Sequence, residues 1–399
     1  MKIQLTKDKA IDISIPGLGG GGKGKVSKAD LVGVELFSDD EEGCPAVRLI
    51  RRKNAWHLAA FGYVKAPDGE LPQRWEDTPK QPTWELPREF QSPVAAIAVN
   101  SDMGSFGQAS ADAIVQEMIH GTVHTDAPAS SDSGKKRFGI KRAPGASAPK
   151  AADPQPQRTP GRVPEFPAAG VPVSENGRRF AVRPSAEEGF HFAVSLPEFQ
   201  SLWLGRLLPE GRRPTAGSIQ ISNAALMASV LAQPEYIAAK GSVLAIFVRD
   251  SALFIAGYKD GMPVLWRRCP GDCGYNAMCT ALKKTLGIER DLIESVLADS
   301  LIDPKPALEP FLHPIMEQLE LARAYLASKH AMNIEKVLLM GLPAGAEHWQ
   351  RCAEETLKLH IVAPAPFEGM TVDKGVEIKN PHRHLVALGA ALAASEVES

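Results

Sequence analysis

The sequence predicts an α/β protein in which one supersecondary unit occurs twice. Two observations carry this expectation. Short apolar and β-branched runs fall into two sets, 31–37, 46–52 and 56–64, then 243–248, 252–258 and 264–268, and each set leads to a helix-like segment, at 109–119 and 275–286. The C-terminal part then alternates long helix, strand, Gly/Pro turn, helix, strand and small-residue helix, which is the rhythm of a layered α/β half.

In chain order, residues 1–30 hold one strand-like run, Ala10 to Ile15, and the glycine-rich stretch Gly17 to Lys25, and read as a flexible leader. Gly17 to Gly22 matches G-x-G-x-x-G in form, and Gly19 to Lys25 approaches a phosphate-binding loop. Val26, however, stands where a Mg²⁺-binding hydroxyl belongs, and neither stretch opens an apolar helix. Residues 31–120 form the first ordered block, a meander with a tight turn at Lys53-Asn54. Residues 121–178 are dominated by Pro, Ala, Ser and Gly without apolar periodicity, so they cannot bury enough surface to offset ordering entropy and read as a disordered insertion. Their basic clusters, Lys135-Lys-Arg137, Lys141-Arg142 and Arg178 with Arg179 beside it, read as a solvated linker, with contact to an anionic membrane face as the second reading.

Residues 179–220 complete the first lobe. A strand at Phe190 to Val194 meets Ser195-Leu-Pro-Glu198, a capping-box pattern that opens a helix to about Leu208, and the strand near Ser218 to Ile221 is expected to lie parallel to the first. Residues 221–399 form the second lobe. A helix at Asn223 to Leu231 precedes the second meander, where Asp260-Gly261 supplies the positive φ of a tight hairpin. Leu312, Ile315, Leu319, Ala322 and Leu326 recur at helical spacing and mark one long amphipathic helix. A strand at Lys336 to Met340, a turn at Gly341 to Gly345, a helix at 346–358, a strand at 360–363 and a helix at 385–394 follow.

Composition excludes several classes of function. Lys and Arg total 45 against 47 Asp and Glu, so no chain-wide field recruits nucleic acid or an anionic membrane. The longest apolar run, Leu385 to Ala394, falls short of the roughly 20 residues a membrane-spanning helix needs, and the first residues hold no signal-peptide core. A cytoplasmic location is expected. Five cysteines make an odd, sparse set that does not suit a disulfide framework, and Cys269, Cys273 and Cys279 lack the paired spacing of a zinc site. His382 and His384 read as exposed polar residues.

The order of these parts resembles the duplicated actin-like (ribonuclease H-like) fold, two lobes around a cleft, and within that superfamily is similar to the PilM-like family of type IV pilus assembly. The resemblance rests on Val32-Gly-Val-Glu-Leu36 with Val47-Arg-Leu-Ile50, on Phe190 to Leu231, and on Pro314 to Arg323 through Lys336-Val-Leu-Leu-Met-Gly341 to Val386-Ala-Leu-Gly-Ala390. It is one of order and pattern. It implies nucleotide in the cleft, and a first-lobe groove that holds the cytoplasmic tail of a PilN-like inner-membrane protein. It also implies peripheral membrane association through that partner at the inner face of the inner membrane, with homo-oligomerisation as an option.

The phosphate loops that the resemblance implies are altered. An Asp and a Gly of the family stand here as Glu35 and Phe37, beside the acidic run Asp39 to Glu42, and the Phe37 ring is expected to fill the phosphate volume. Ile246 and Val248 occupy the second Asp-x-Gly, while Arg249 and Asp250 read as a local ion pair at the hairpin. The adenosine loop reads Gly341-Leu-Pro-Ala-Gly345. The expectation is a binding scaffold with degenerate nucleotide loops, no cofactor, no catalytic residue and no metal ligand. The alternative is an Mg-ATP-binding ATPase or small-molecule kinase, for which Glu35, Ser38, Gly341 and Gly345 would be the cofactor-binding residues.

Overall fold

The computed structural model describes residues 29–38, 42–53, 55–68, 84–100, 105–110, 166–167, 178–184, 190–208, 215–233, 242–299, 303–334, 336–342, 346–357 and 359–395. Residues 1–28 of the leader, nearly all of the 121–178 insertion and Gly345 lie outside the described residues, and Asp30, read with the leader, already opens the first strand.

The meander expected at the start forms as β1 (Asp30–Leu36), β2 (Cys44–Arg52) and β3 (Ala55–Val64), joined by the parallel strands β4 (Val94–Val99) and β9 (Thr215–Ile221). They lie in the order β3-β2-β1-β4-β9, and the short strands Thr371–Val372 (β15) and Phe166–Pro167 (β6) complete a seven-stranded sheet. The second meander, β10 (Ser242–Val248), β11 (Leu253–Lys259) and β12 (Met262–Arg268), is extended by β13 (Lys336–Met340) and β14 (His360–Val362) in the order β12-β11-β10-β13-β14. Both sheets repeat one order and one set of directions. In each, the meander is antiparallel, and its first strand is parallel to the next strand along, β1 to β4 and β10 to β13. β4 is buried on both faces, which explains its unbroken apolar run, and β1 is buried likewise from Leu31 to Leu36 with Glu35 as its one charged residue there.

A third sheet, of β5 (Ser105–Ser110), β8 (Phe190–Pro197) and β7 (Arg178–Pro184), corrects two expectations. Residues 109 and 110 are strand where a helix was expected, and the rest of that segment lies outside the described residues. β8 does not lie beside β9, whose parallel neighbour is β4. The capping box does not form either. Ser195 is paired within the strand to Ser105 and Phe180, and the helix α1 (Glu198–Arg206) starts without a side-chain cap. The alternation of Phe192, Val194 and Leu196, all buried, carries the strand past the serine.

The helices are α2 (Ser222–Ser229), α3 (Tyr275–Leu286), α4 (Arg290–Asp299), α5 (Lys305–His330), α6 (Ala346–Leu357) and α7 (Leu385–Ser395). Leu312, Ile315, Leu319, Ala322 and Leu326 of α5 are all buried, as their spacing predicts. α7 is apolar on every side because every side is covered. It packs on α2 so closely that a Cβ at Gly389 would meet the Ala225 carbonyl oxygen at 1.7 Å. Alternation in β10 joins two cores: Val243, Ala245 and Phe247 face α2 and α7 in the core shared with the first sheet, whereas Leu244, Ile246 and Val248 join the core under α3 and α5. Among the described residues no helix is long and apolar enough to cross a membrane.

Candidate functional site

Parallel strands of an α/β sheet present their carboxyl ends together, and ligands gather there. In this chain β1, β4, β9, β10 and β13 end at one place. Glu35, Ser38, Asn100, Ser222, Arg249 and Gly341, residues at or just past those ends, line a pocket of about 170 Å³ between the two large sheets. Glu35, Ser38 and Gly341 were expected together from the sequence. Asn100 and Ser222 were not; Asn100 follows an apolar run, and Ser222 follows the mixed strand Thr215–Ile221 with no signal of its own.

The strongest interaction in the pocket crosses it. Arg249 donates from Nη2 to Glu35 Oε1 at 2.7 Å, and the Glu35 side chain is 3% exposed against 27% for Arg249. The expected local pair of Arg249 with Asp250 is thereby corrected, because the nearest carboxylate in sequence is not the one that the β10–β11 hairpin aims the guanidinium at. The hairpin itself is held firmly. The Arg249 N–H donates to Ala252 O at 2.9 Å, and the first turn of α3 donates to the hairpin carbonyls, from Tyr275 N to Arg249 O at 2.8 Å and from Asn276 N to Asp250 O at 2.9 Å. These bonds satisfy amides that a helix start leaves without intrahelical partners.

Phe37 follows Glu35 with φ of +57°, a left-handed conformation that glycine adopts without cost and a phenylalanine does not. Its ring is packed 6.1 Å from that of Trp203, so the side chain belongs to the packing of the first lobe and does not line the pocket as expected. Ser38 donates from Oγ to Gly43 O at 3.3 Å, closing the turn between β1 and β2. Gly341 has φ of +87°, and a Cβ there would meet the Val248 carbonyl oxygen at 2.4 Å, so glycine is required where the chain leaves β13 against β10.

On the far wall, the Tyr275 hydroxyl donates to Glu294 at 3.3 Å. Burial pushes this phenol well above its ordinary range, with the neighbouring Cys279 and Glu294 adding to the effect. His382 and Arg383 reach the pocket from the turn before α7. His384, read from sequence as exposed, is fully buried: Nε2 lies 2.9 Å from Gly62 O, Nδ1 lies 3.3 Å from Asn380 O, and the ring stacks on Phe61 at 3.9 Å. It ties the start of α7 to β3, a long-range contact that no local pattern announces. Among the described residues no group of His, Cys, Asp and Glu could hold a metal ion.

No family model and no curated protein matches the chain. Solved structures do. A chain of the PilM–PilN type IV pilus biogenesis complex matches with a TM-score of 0.54 at 14% identity, covering 93% of this chain and 100% of that one. A Bacteroides thetaiotaomicron protein with an actin-like ATPase fold matches with a TM-score of 0.37 at 8% identity over 92% of this chain and 99% of its own. An archaeal actin homologue matches with a TM-score of 0.30 at 17% identity over 47% of this chain and 59% of its own.

Proposed function

We propose that this chain, which has the duplicated actin-like fold and is similar over 93% of its length to a chain of the PilM–PilN complex, is a cytoplasmic scaffold of the type IV pilus inner-membrane platform that binds the cytoplasmic tail of a PilN-like membrane protein, and that its interlobe cleft does not serve Mg-ATP. The observation that carries the first part is the full-length correspondence with a chain taken from a complex of that composition. The third sheet supports a mode of binding: β5 and β7 are its outer strands among the described residues, and an extended tail can add to such an edge through main-chain hydrogen bonds. Membrane association then comes through the partner, and self-association remains compatible with this role.

The second part rests on whether the pocket residues fit a nucleotide. The carboxylate that would orient Mg²⁺ is Glu35, and Arg249 neutralises it. The pocket, at about 170 Å³, is below the roughly 300–1,000 Å³ typical of small-molecule sites. Ile246 and Val248 of β10 are buried and offer no polar atom from their side chains to a phosphate. The residues present do not fit an Mg²⁺–triphosphate.

The test is thermal unfolding of the purified full chain with Mg-ATP and, separately, with a synthetic peptide of the PilN-like tail. A ligand at 100 times its Kd stabilises the native state by about 2.7 kcal/mol. The peptide is expected to raise the melting temperature and Mg-ATP to leave it unchanged. A shift with Mg-ATP alone would replace the scaffold by the ATPase or kinase alternative.

A further inference from the structure

The hairpin between β2 and β3 carries an excess of positive charge that neither the cleft nor the tail-binding role uses. Arg51, Arg52 and Lys53 follow one another at its tip, all exposed, and the Arg51 guanidinium lies 5.8 Å over the ring of Trp56, its partner across the two strands. β15 runs beside β3 at this end of the sheet, pairing Thr371 with His57 and Val372 with Leu58. It adds two exposed residues to the tip: Val372, with 38% of its surface open to solvent, and Lys374, next in the chain to the Asp373 that holds Arg52.

The carboxylates of these segments are already paired. Asp373 accepts from both terminal nitrogens of Arg52, at 2.8 and 2.9 Å, Asp30 holds Arg48 at 2.7 Å, and Glu377 lies 3.4 Å from Lys379. Among the described residues no carboxylate pairs with Arg51, Lys53 or Lys374, which leaves three uncompensated cations around Trp56 and Val372. The chain also enters the fold here. The Arg51 N–H donates to Ala29 O at 2.6 Å, and residues 23–28, just before it, hold Lys23, Lys25 and Lys28 and no acid.

We propose that this tip binds the anionic headgroups of a phospholipid bilayer directly, with Arg51, Lys53 and Lys374 as the headgroup-binding cations and Trp56 and Val372 as the apolar residues at the boundary. Each Lys or Arg brought to an anionic leaflet multiplies the partition coefficient by about five. A tryptophan suits that boundary because one end of its ring is apolar and the other carries a polar N–H, and the stems of Lys and Arg lie along apolar surface while their heads stay in water. The exposed valine favours a bilayer over nucleic acid, whose phosphates attract cations but not an aliphatic side chain. β1 runs from Asp30, beside the tip, to Glu35 in the cleft, a distance of about 17 Å at the rise of a strand, so the bilayer and the cleft do not compete for one surface. The contact needs no tail partner. Its test leaves the peptide out, so its failure and that of the scaffold role are distinguishable.

The experiment incubates the purified full chain with phosphatidylglycerol vesicles and, separately, with phosphatidylcholine vesicles, and reads sedimentation and backbone hydrogen exchange. Expected are binding to the anionic vesicles that weakens as salt is raised, and slowed exchange in peptides spanning residues 51–57. The variant Arg51→Gln, Lys53→Gln, Lys374→Gln is expected to lose on the order of 100-fold in partitioning, and Arg51→Lys, Lys53→Arg, Lys374→Arg to keep it. Equal partitioning of wild type and the glutamine variant would overturn the proposal, because the binding would then belong to the leader or to residues 121–178. So would equal binding to the two kinds of vesicle, or exchange at 51–57 that anionic vesicles do not slow. That last measurement needs no substitution, so a misfolded variant does not rescue the idea. Slowing at 51–57 by a mixed-sequence oligonucleotide, and not by vesicles, would also overturn it.

Discussion

Replacing Arg249 by methionine leaves the Glu35 carboxylate, 3% exposed, without the guanidinium that lies 2.7 Å from it. At a separation of about 4 Å between charge centres and an effective dielectric of about 20, the pair is attracted by about 4 kcal/mol. Because 27% of the Arg249 side chain is open to solvent, screening and the cost of holding it in place reduce the loss to about 2–3 kcal/mol. For a protein of this size that corresponds to a fall in melting temperature of about 2–4 °C. The assay is calorimetry on wild type, Arg249→Met, Glu35→Gln and the double variant. Glu35→Gln removes the buried charge and lets the arginine turn to water, so it is expected to cost about 1 kcal/mol. The double variant is expected to be close to Glu35→Gln alone, which gives a coupling of at least 1.5 kcal/mol, well beyond the roughly 0.5 kcal/mol scatter of independent sites. Additive single effects would refute the claim that this ion pair spans the cleft.

Two further outcomes follow from the site. Phe37→Gly and Phe37→Ala both lose the ring that packs beside Trp203, but only glycine is at ease at φ of +57°, so the glycine variant should be more stable by about 1 kcal/mol in chemical denaturation; equal stabilities would show that the left-handed backbone is not maintained. The pH dependence of stability follows from Cys273. With a folded value of about 7 against the usual 9.0, Cys273 binds fewer protons in the native chain than in the unfolded one between these values, so its own contribution to stability is present above about pH 9 and is lost as the pH falls through that window. Cys44, Cys269 and Cys279, all raised by burial or by a neighbour, act with the opposite sign as the pH rises past about 9, so the contribution is read as the difference in slope between wild type and Cys273→Ser below pH 9, by chemical denaturation under reductant.

Which parts of this protein its sequence reveals depends on the range of the interaction. The meanders, the long helix α5 and the final helix α7 are legible because alternation and helical spacing are local records of which face is buried, and the cores bury those faces. β4 was missed since its run Val-Ala-Ala-Ile-Ala-Val, covered on both faces, shows no alternation, and β8 was placed in the wrong sheet since pairing partners leave no mark on a strand's own pattern. The residues Glu35, Ser38 and Gly341 could be picked out one by one, and the positive φ at 37 and 341 agrees with glycine-type positions there. That Glu35 and Arg249, 214 residues apart, meet across the cleft was decided only by the packing of one sheet on the other. So was the burial of His384 between Gly62 and Asn380. A charge or an imidazole reports its own chemistry in the sequence, but its partner is chosen by the geometry of the folded chain, where distance in sequence no longer measures distance in space.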